Sequence, residues 1–131
     1  PVGATVDFLN SESISHNVHT YPTKNDGMNK LIPAGSKETQ KLDKEDRIEI
    51  KCDIHPWMNS HLIVSATPYV AVTDAAGNFS VDGLPPGTYK AKLWHEKLGK
   101  ADADVTINAD VTSADVAVTM GDKKKGGRRR R

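Results

Sequence analysis

The sequence predicts an all-β chain folded as a β-sandwich, and three observations carry that prediction. Short runs of alternating apolar and polar residues recur along the chain, turn residues bound most of them, and no segment shows the apolar period of a helix. At 131 residues and 37% hydrophobic content, the chain can build a modest core as one domain or two very small ones. No stretch approaches the roughly 20 apolar residues that cross a bilayer.

Each element follows from its own pattern. In ATVDFLN (4–10), Val6 and Phe8 alternate with polar neighbours. The polar-tipped segment 20–33 reads as a long loop at one end of the sandwich. KETQKLDKEDR (37–47) has a helix-compatible composition, but its apolar positions are too sparse for a core-facing stripe, so it reads as a polar strand and turn. In RIEIKC (47–52), Ile48, Ile50 and Cys52 share one face, with Arg47, Glu49 and Lys51 on the other. HLIVSA, YVAVT, GNFSV, TYKAKLW, ADVTI and ADVAVTM continue the series as strands. Turns are marked by Asp74-Ala75-Ala76-Gly77, Asp82-Gly83 and Pro85-Pro86-Gly87. Tyr89, Ala91 and Leu93, then Val105 and Ile107, then Val116, Val118 and Met120 form apolar faces that two packed sheets would bury.

Charge divides the chain. Residues 121–131, GDKKKGGRRRR, carry +6, so the remaining body carries −5 beneath a net charge of +1. The tail has no apolar residue to join a core and reads as disordered, suited to docking on an acidic protein or anionic lipid. A negative body without a basic patch interleaved with aromatics argues against nucleic acid as a partner. The start at Pro1-Val2-Gly3 reads as a processed mature form or a piece of a longer chain.

The single cysteine, Cys52, cannot form an internal disulfide, and KCDIHPWM places His55 and Met58 at three-residue steps after it. The run is either a metal-binding loop or a buried thiol with a histidine and a methionine nearby. Its strand alternation points the sulfur inward, and Pro56 stiffens the following turn. His16, in SISHNVHTY, is the upstream candidate, whereas His19 faces the other side of its strand. A thiolate, two imidazoles and a weak thioether suit copper in an electron-transfer site. Structural zinc usually takes more thiolates, and a lone cysteine holds no iron–sulfur cluster. No Ser-His-Asp set, paired acids or phosphate loop indicates an enzyme.

SHNVH followed by CDIHPWM and LIV resembles the cupredoxins, the small blue copper proteins, and within them the amicyanin type with its Cys-x-x-His-x-x-Met loop. The resemblance covers residues 1–66 and implies a Greek-key β-sandwich with one type 1 copper held by His16, Cys52, His55 and Met58. It also implies that Asn17 hydrogen-bonds across to the cysteine loop. Two departures stand out: the strands that normally precede HNV are missing, and His61 offers an alternative axial ligand to Met58. Residues 67–120 form a second segment. In it PYVAVTDAAGNFSVDGLPPGTYKAKLWHEKLG, from 68 onward, resembles the carboxypeptidase-regulatory-like domains, which are small transthyretin-like sandwiches. This second sandwich either merges with the first half or follows it. His95 beside Glu96 reads as a solvent-facing pair at a strand end.

The expectation is a non-enzymatic copper protein that carries single electrons between redox partners, a membrane-bound electron-transfer complex among them. The resemblance places it in the bacterial periplasm or on the outer face of a membrane. The alternatives are a structural subunit of a membrane-associated complex with a vestigial metal site, and a copper carrier.

Overall fold

The computed structural model describes residues 1–109 and 116–121, and among these every regular element is a β-strand. The basic stretch from 122 onward lies outside the described residues, as do the first two residues of ADVAVTM. The chain divides into two compact units, Pro1–Phe79 and a second that begins at Ser80. The first unit thus extends past the boundary at 66/67 expected from sequence.

The first unit contains two sheets. Strands β1 (Ala4–Leu9) and β4 (Lys37–Leu42) pair antiparallel, in register Ala4↔Leu42 to Leu9↔Lys37. The polar strand expected near 37–42 is therefore present, paired along its whole length. The second sheet has the order β3-β2-β5-β6, built from β2 (His16–Tyr21), β3 (Asn29–Ile32), β5 (Asp46–Lys51) and β6 (Asn59–Val64), all antiparallel. The core lies between the sheets: Leu42, Ile48 and Val64 are buried, with Val6, Ile50 and Leu62 packed against them. Ile48 is wholly enclosed, which contributes roughly 1.5–3 kcal/mol of hydrophobic transfer.

Segment 20–33 is not one long loop, because β3 forms inside it. Asn17↔Leu31 and His19↔Asn29 pair it with β2, and Ile32 is buried. The turn before it is held by Asp46, at the start of β5. Its carboxylate accepts from the Thr23 hydroxyl (2.6 Å), the backbone N–H groups of Thr23, Lys24 and Asn25, and the Asn25 side chain. One anion thus satisfies a run of donors that no ladder pairs.

In the second unit, β7 (Gly87–His95) and β8 (Gly99–Ile107) make a regular antiparallel hairpin, with Tyr89↔Val105, Ala91↔Ala103 and Leu93↔Ala101 on its apolar face. Lys90 meets Asp104 at 2.9 Å on the polar face. The Tyr89 hydroxyl donates to the Pro85 carbonyl at 2.7 Å and ties down the Pro85-Pro86-Gly87 turn. His95 is exposed at the end of β7, where its Nδ1 accepts the backbone N–H groups of Lys97 and Leu98 and caps the hairpin turn.

Among the described residues, 69–73, 77–81 and 116–120, where alternation predicts strands, have no ladder partner. The Asp74 turn is present, with Asp74 N–H to Asn78 O at 2.9 Å and Asp74 Oδ1 accepting from Ala76 and Asn78. The flanking residues continue no pairing, and Val72 is 94% exposed. Alternation makes a strand possible, but the backbone N–H and C=O groups still need an edge to pair with.

Candidate metal centre

The β2–β5 register sets the site. Thr20↔Ile50 lie on the core face of the sheet, and His19↔Lys51 lie on the outer face. Because side chains alternate along a strand, His16 at the start of β2 and Cys52 just after β5 fall on the core face. Both are buried, His16 at 8% and Cys52 at 5% exposure. The β5–β6 connection then folds into a closed loop, with Cys52 N–H donating to Met58 O at 3.2 Å and Met58 N–H to His55 O at 2.9 Å. That closure returns His55 to the sulfur.

The three donor atoms converge. Cys52 Sγ lies 3.9 Å from His16 Nδ1 and 3.6 Å from His55 Nδ1, and the two Nδ1 atoms are 3.0 Å apart. The rings tilt against each other, with centroids 4.7 Å apart. Bond lengths of about 2.0 Å to imidazole nitrogen and about 2.3 Å to thiolate let one ion span at most about 4.0 Å between nitrogens and about 4.3 Å between nitrogen and sulfur. All three separations fall within that reach. His16, Cys52 and His55 form a cluster that could hold a metal ion.

Electrostatics prepare the same donors. Burial pushes the Cys52 thiol up. The Asn17 backbone N–H, the His16 ring, and the His55 backbone N–H and ring outweigh it, bringing the thiol down to about 6. A substantial thiolate fraction is therefore present near neutrality, the form that ligates metal. The Cys52 sulfur and then the Glu12 carboxylate hold the His16 imidazole above its ordinary value. Glu12 Oε2 is 2.9 Å from His16 Nε2. With Nε2–H donating to the carboxylate, Nδ1 turns its lone pair toward the sulfur, a carboxylate–histidine arrangement that orients a metal ligand.

The remaining candidates sit differently. Met58 ends the loop, fastened through its backbone, and its residue is 38% exposed. His61 stands opposite Glu49 on β6, while its neighbour Leu62 faces Ile48 in the core. Its ring therefore leaves the sheet on the face away from Cys52. Asn17 spans from β2 to the cysteine loop: its Oδ1 accepts the N–H of Asp53 and of Ile54, and its Nδ2 donates to Asp53 Oδ2 at 2.9 Å. Trp57 is 76% exposed and its ring lies 5.3 Å from that of His55.

Sequence reasoning missed Glu12, Asp53 and Asp46. Glu12 lies in an irregular stretch before β2, where no periodicity assigns a facing partner. Asp53 is next to Cys52, but its role depends on His19 and Asn29, which lie far away in the chain.

Residues 45–123 match the family model for polysaccharide lyase family 4, domain II, an fn3-like β-sandwich. The match runs from β5 through the Cys52–Met58 loop and both hairpin strands, and leaves out His16. It agrees with the sandwich class and does not itself confirm a cupredoxin identity. No curated protein and no solved structure matches the chain.

Proposed function

The chain belongs to the family of polysaccharide lyase family 4, domain II, and we propose that on this β-sandwich frame it holds one copper ion and carries single electrons outside the cytoplasm. The observation that carries the reading is the convergence of Cys52 Sγ, His16 Nδ1 and His55 Nδ1 within 3.9 Å of one another. One soft thiolate with two imidazoles favours copper over oxygen-seeking magnesium or calcium, and a four-coordinate structural zinc site usually has more thiolates. Met58, at the end of the same loop, would be the further residue to hold the ion, and the outward face of β6 speaks against His61. Bound copper supplies a one-electron couple. The chain's own part is to keep the thiolate buried, orient His16 through Glu12, and present His55 at the rim. Exposed Ile54, Trp57 and Met58 surround that rim with apolar surface suited to brief docking of a redox protein.

A structural β-sandwich is the second reading, favoured by a family match that spans β5 to β8 without His16. Adding Cu(II) to the purified chain and recording the visible spectrum separates the two. The copper reading expects an intense thiolate-to-copper band that disappears in Cys52→Ser. A colourless protein, or a band unchanged by that substitution, refutes it.

A further inference from the structure

On the outer face of the sheet, behind the three donors, lies a second cluster that neither the fold nor the proposed copper chemistry assigns. Asp53 follows Cys52 directly. Its carboxylate is 3.0 Å from His19 Nδ1, 2.9 Å from Asn17 Nδ2 and 3.2 Å from Asn29 Nδ2. Asn17 Nδ2 also donates to Asn29 Oδ1 at 2.8 Å. The Tyr21 ring stacks on His19 with centroids 4.2 Å apart, and its hydroxyl lies 2.9 Å from His19 Nδ1. Residues from β2, the start of β3 and the cysteine loop are thus tied through one carboxylate.

The chemistry of this cluster points to positioning. His19 and Asp53 are partly exposed, at 29% and 49% of their side chains, so as an ion pair they add little to global stability. In the loop they hold, Ile54 and Trp57 are exposed, and two backbone bonds between Cys52, His55 and Met58 close it. Asp53 sits where a small shift carries directly into Cys52 Sγ. Asn17 grips the backbone N–H of Asp53 and Ile54, while the Asp53 side chain grips Asn17, His19 and Asn29 in return.

We propose that Asp53 and His19, with Asn29, form a positioning clasp on the outer face of the sheet that sets Cys52 and His55 for metal before the ion arrives. This rests on the reading that His16, Cys52 and His55 ligate a metal. Groups that orient metal ligands without touching the ion typically govern about 10- to 100-fold in affinity.

The test uses the full chain and Co(II), whose thiolate charge-transfer absorption reports both affinity and geometry at the sulfur. Asp53→Ala should weaken Co(II) binding by about 10- to 100-fold and alter that absorption. Asp53→Asn, which keeps one oxygen acceptor, should recover part of both. His19→Ala leaves Asp53 and the loop backbone in place, and should weaken binding by about 10-fold while the metal-free melting temperature changes little. If Asp53→Ala does not fold, His19→Ala decides. Wild-type affinity and spectrum in a folded Asp53→Ala or His19→Ala chain overturns the clasp alone. If the wild-type chain binds no Co(II), the metal reading fails and takes the clasp with it.

Discussion

The first unit and the β7–β8 hairpin have equally regular alternation but differ in what it encloses. In the first unit two sheets face each other, and Leu42, Ile48 and Val64 are closed off between them. In the hairpin no residue is fully buried: Tyr89, Ala91, Leu93 and Val105 are only partly buried on the apolar face. Period-2 patterning writes a strand with one apolar face, whereas burial needs a second layer to cover it. The buried donors His16 and Cys52 belong to the covered face, where the sheet hides a thiol and an imidazole from water.

The sharpest way to break this contrast is at the core. Ile48→Ala should cost about 2–5 kcal/mol in urea unfolding, because it empties a site with no exposure. Leu93→Ala in the hairpin should cost only about 1 kcal/mol, since the side chain is only partly buried. Equal losses would mean that the two faces are covered alike.

Asp46 sharpens the comparison through pH. Burial pushes its carboxyl up, but the Thr23 hydroxyl, the N–H groups of Lys24 and Asn25 and the Asn25 side chain outweigh this and hold it well below the usual carboxylate range. A depressed folded-state value contributes stability that is present above the unfolded value of about 3.9 and is lost as pH falls toward the folded one. Asp46→Asn should therefore destabilise by a constant amount above about pH 5, with the gap to the wild-type chain closing in acid below about pH 4. Urea midpoints across that range check the sign, and a gap that widens in acid contradicts the assignment. The smallest effect belongs to Lys90→Ala: its ion pair with Asp104 is solvent-exposed, with side chains 55% and 76% accessible, and its loss should leave the unfolding midpoint unchanged.

Much of the site is legible in the chain before any fold is drawn. The alternation of Ile48, Ile50 and Cys52 turns the sulfur inward, and the three-residue step to His55 lets a tight loop bring the imidazole back. What stays hidden has a common physical cause. Glu12 meets His16 through an irregular stretch with no register to read, and Asp53 meets His19 across strands whose pairing alternation does not specify. β3 is concealed because NKLI has one buried residue, Ile32, in a polar neighbourhood. The opposite error comes from 69–73 and 77–81, where alternation is clear but no strand edge among the described residues pairs with them. Local pattern gives the face of a residue, and only topology gives its neighbour.

The central claim is that one sulfur and two imidazole nitrogens of this chain share an ion. X-ray absorption at the copper edge of the Cu(II)-loaded full chain tests it most directly. A first shell with one thiolate sulfur and two imidazole nitrogens, the sulfur lost in Cys52→Ser and one imidazole lost in His16→Ala, is the result expected. A shell of nitrogen and oxygen alone, identical in the wild-type chain and Cys52→Ser, contradicts it.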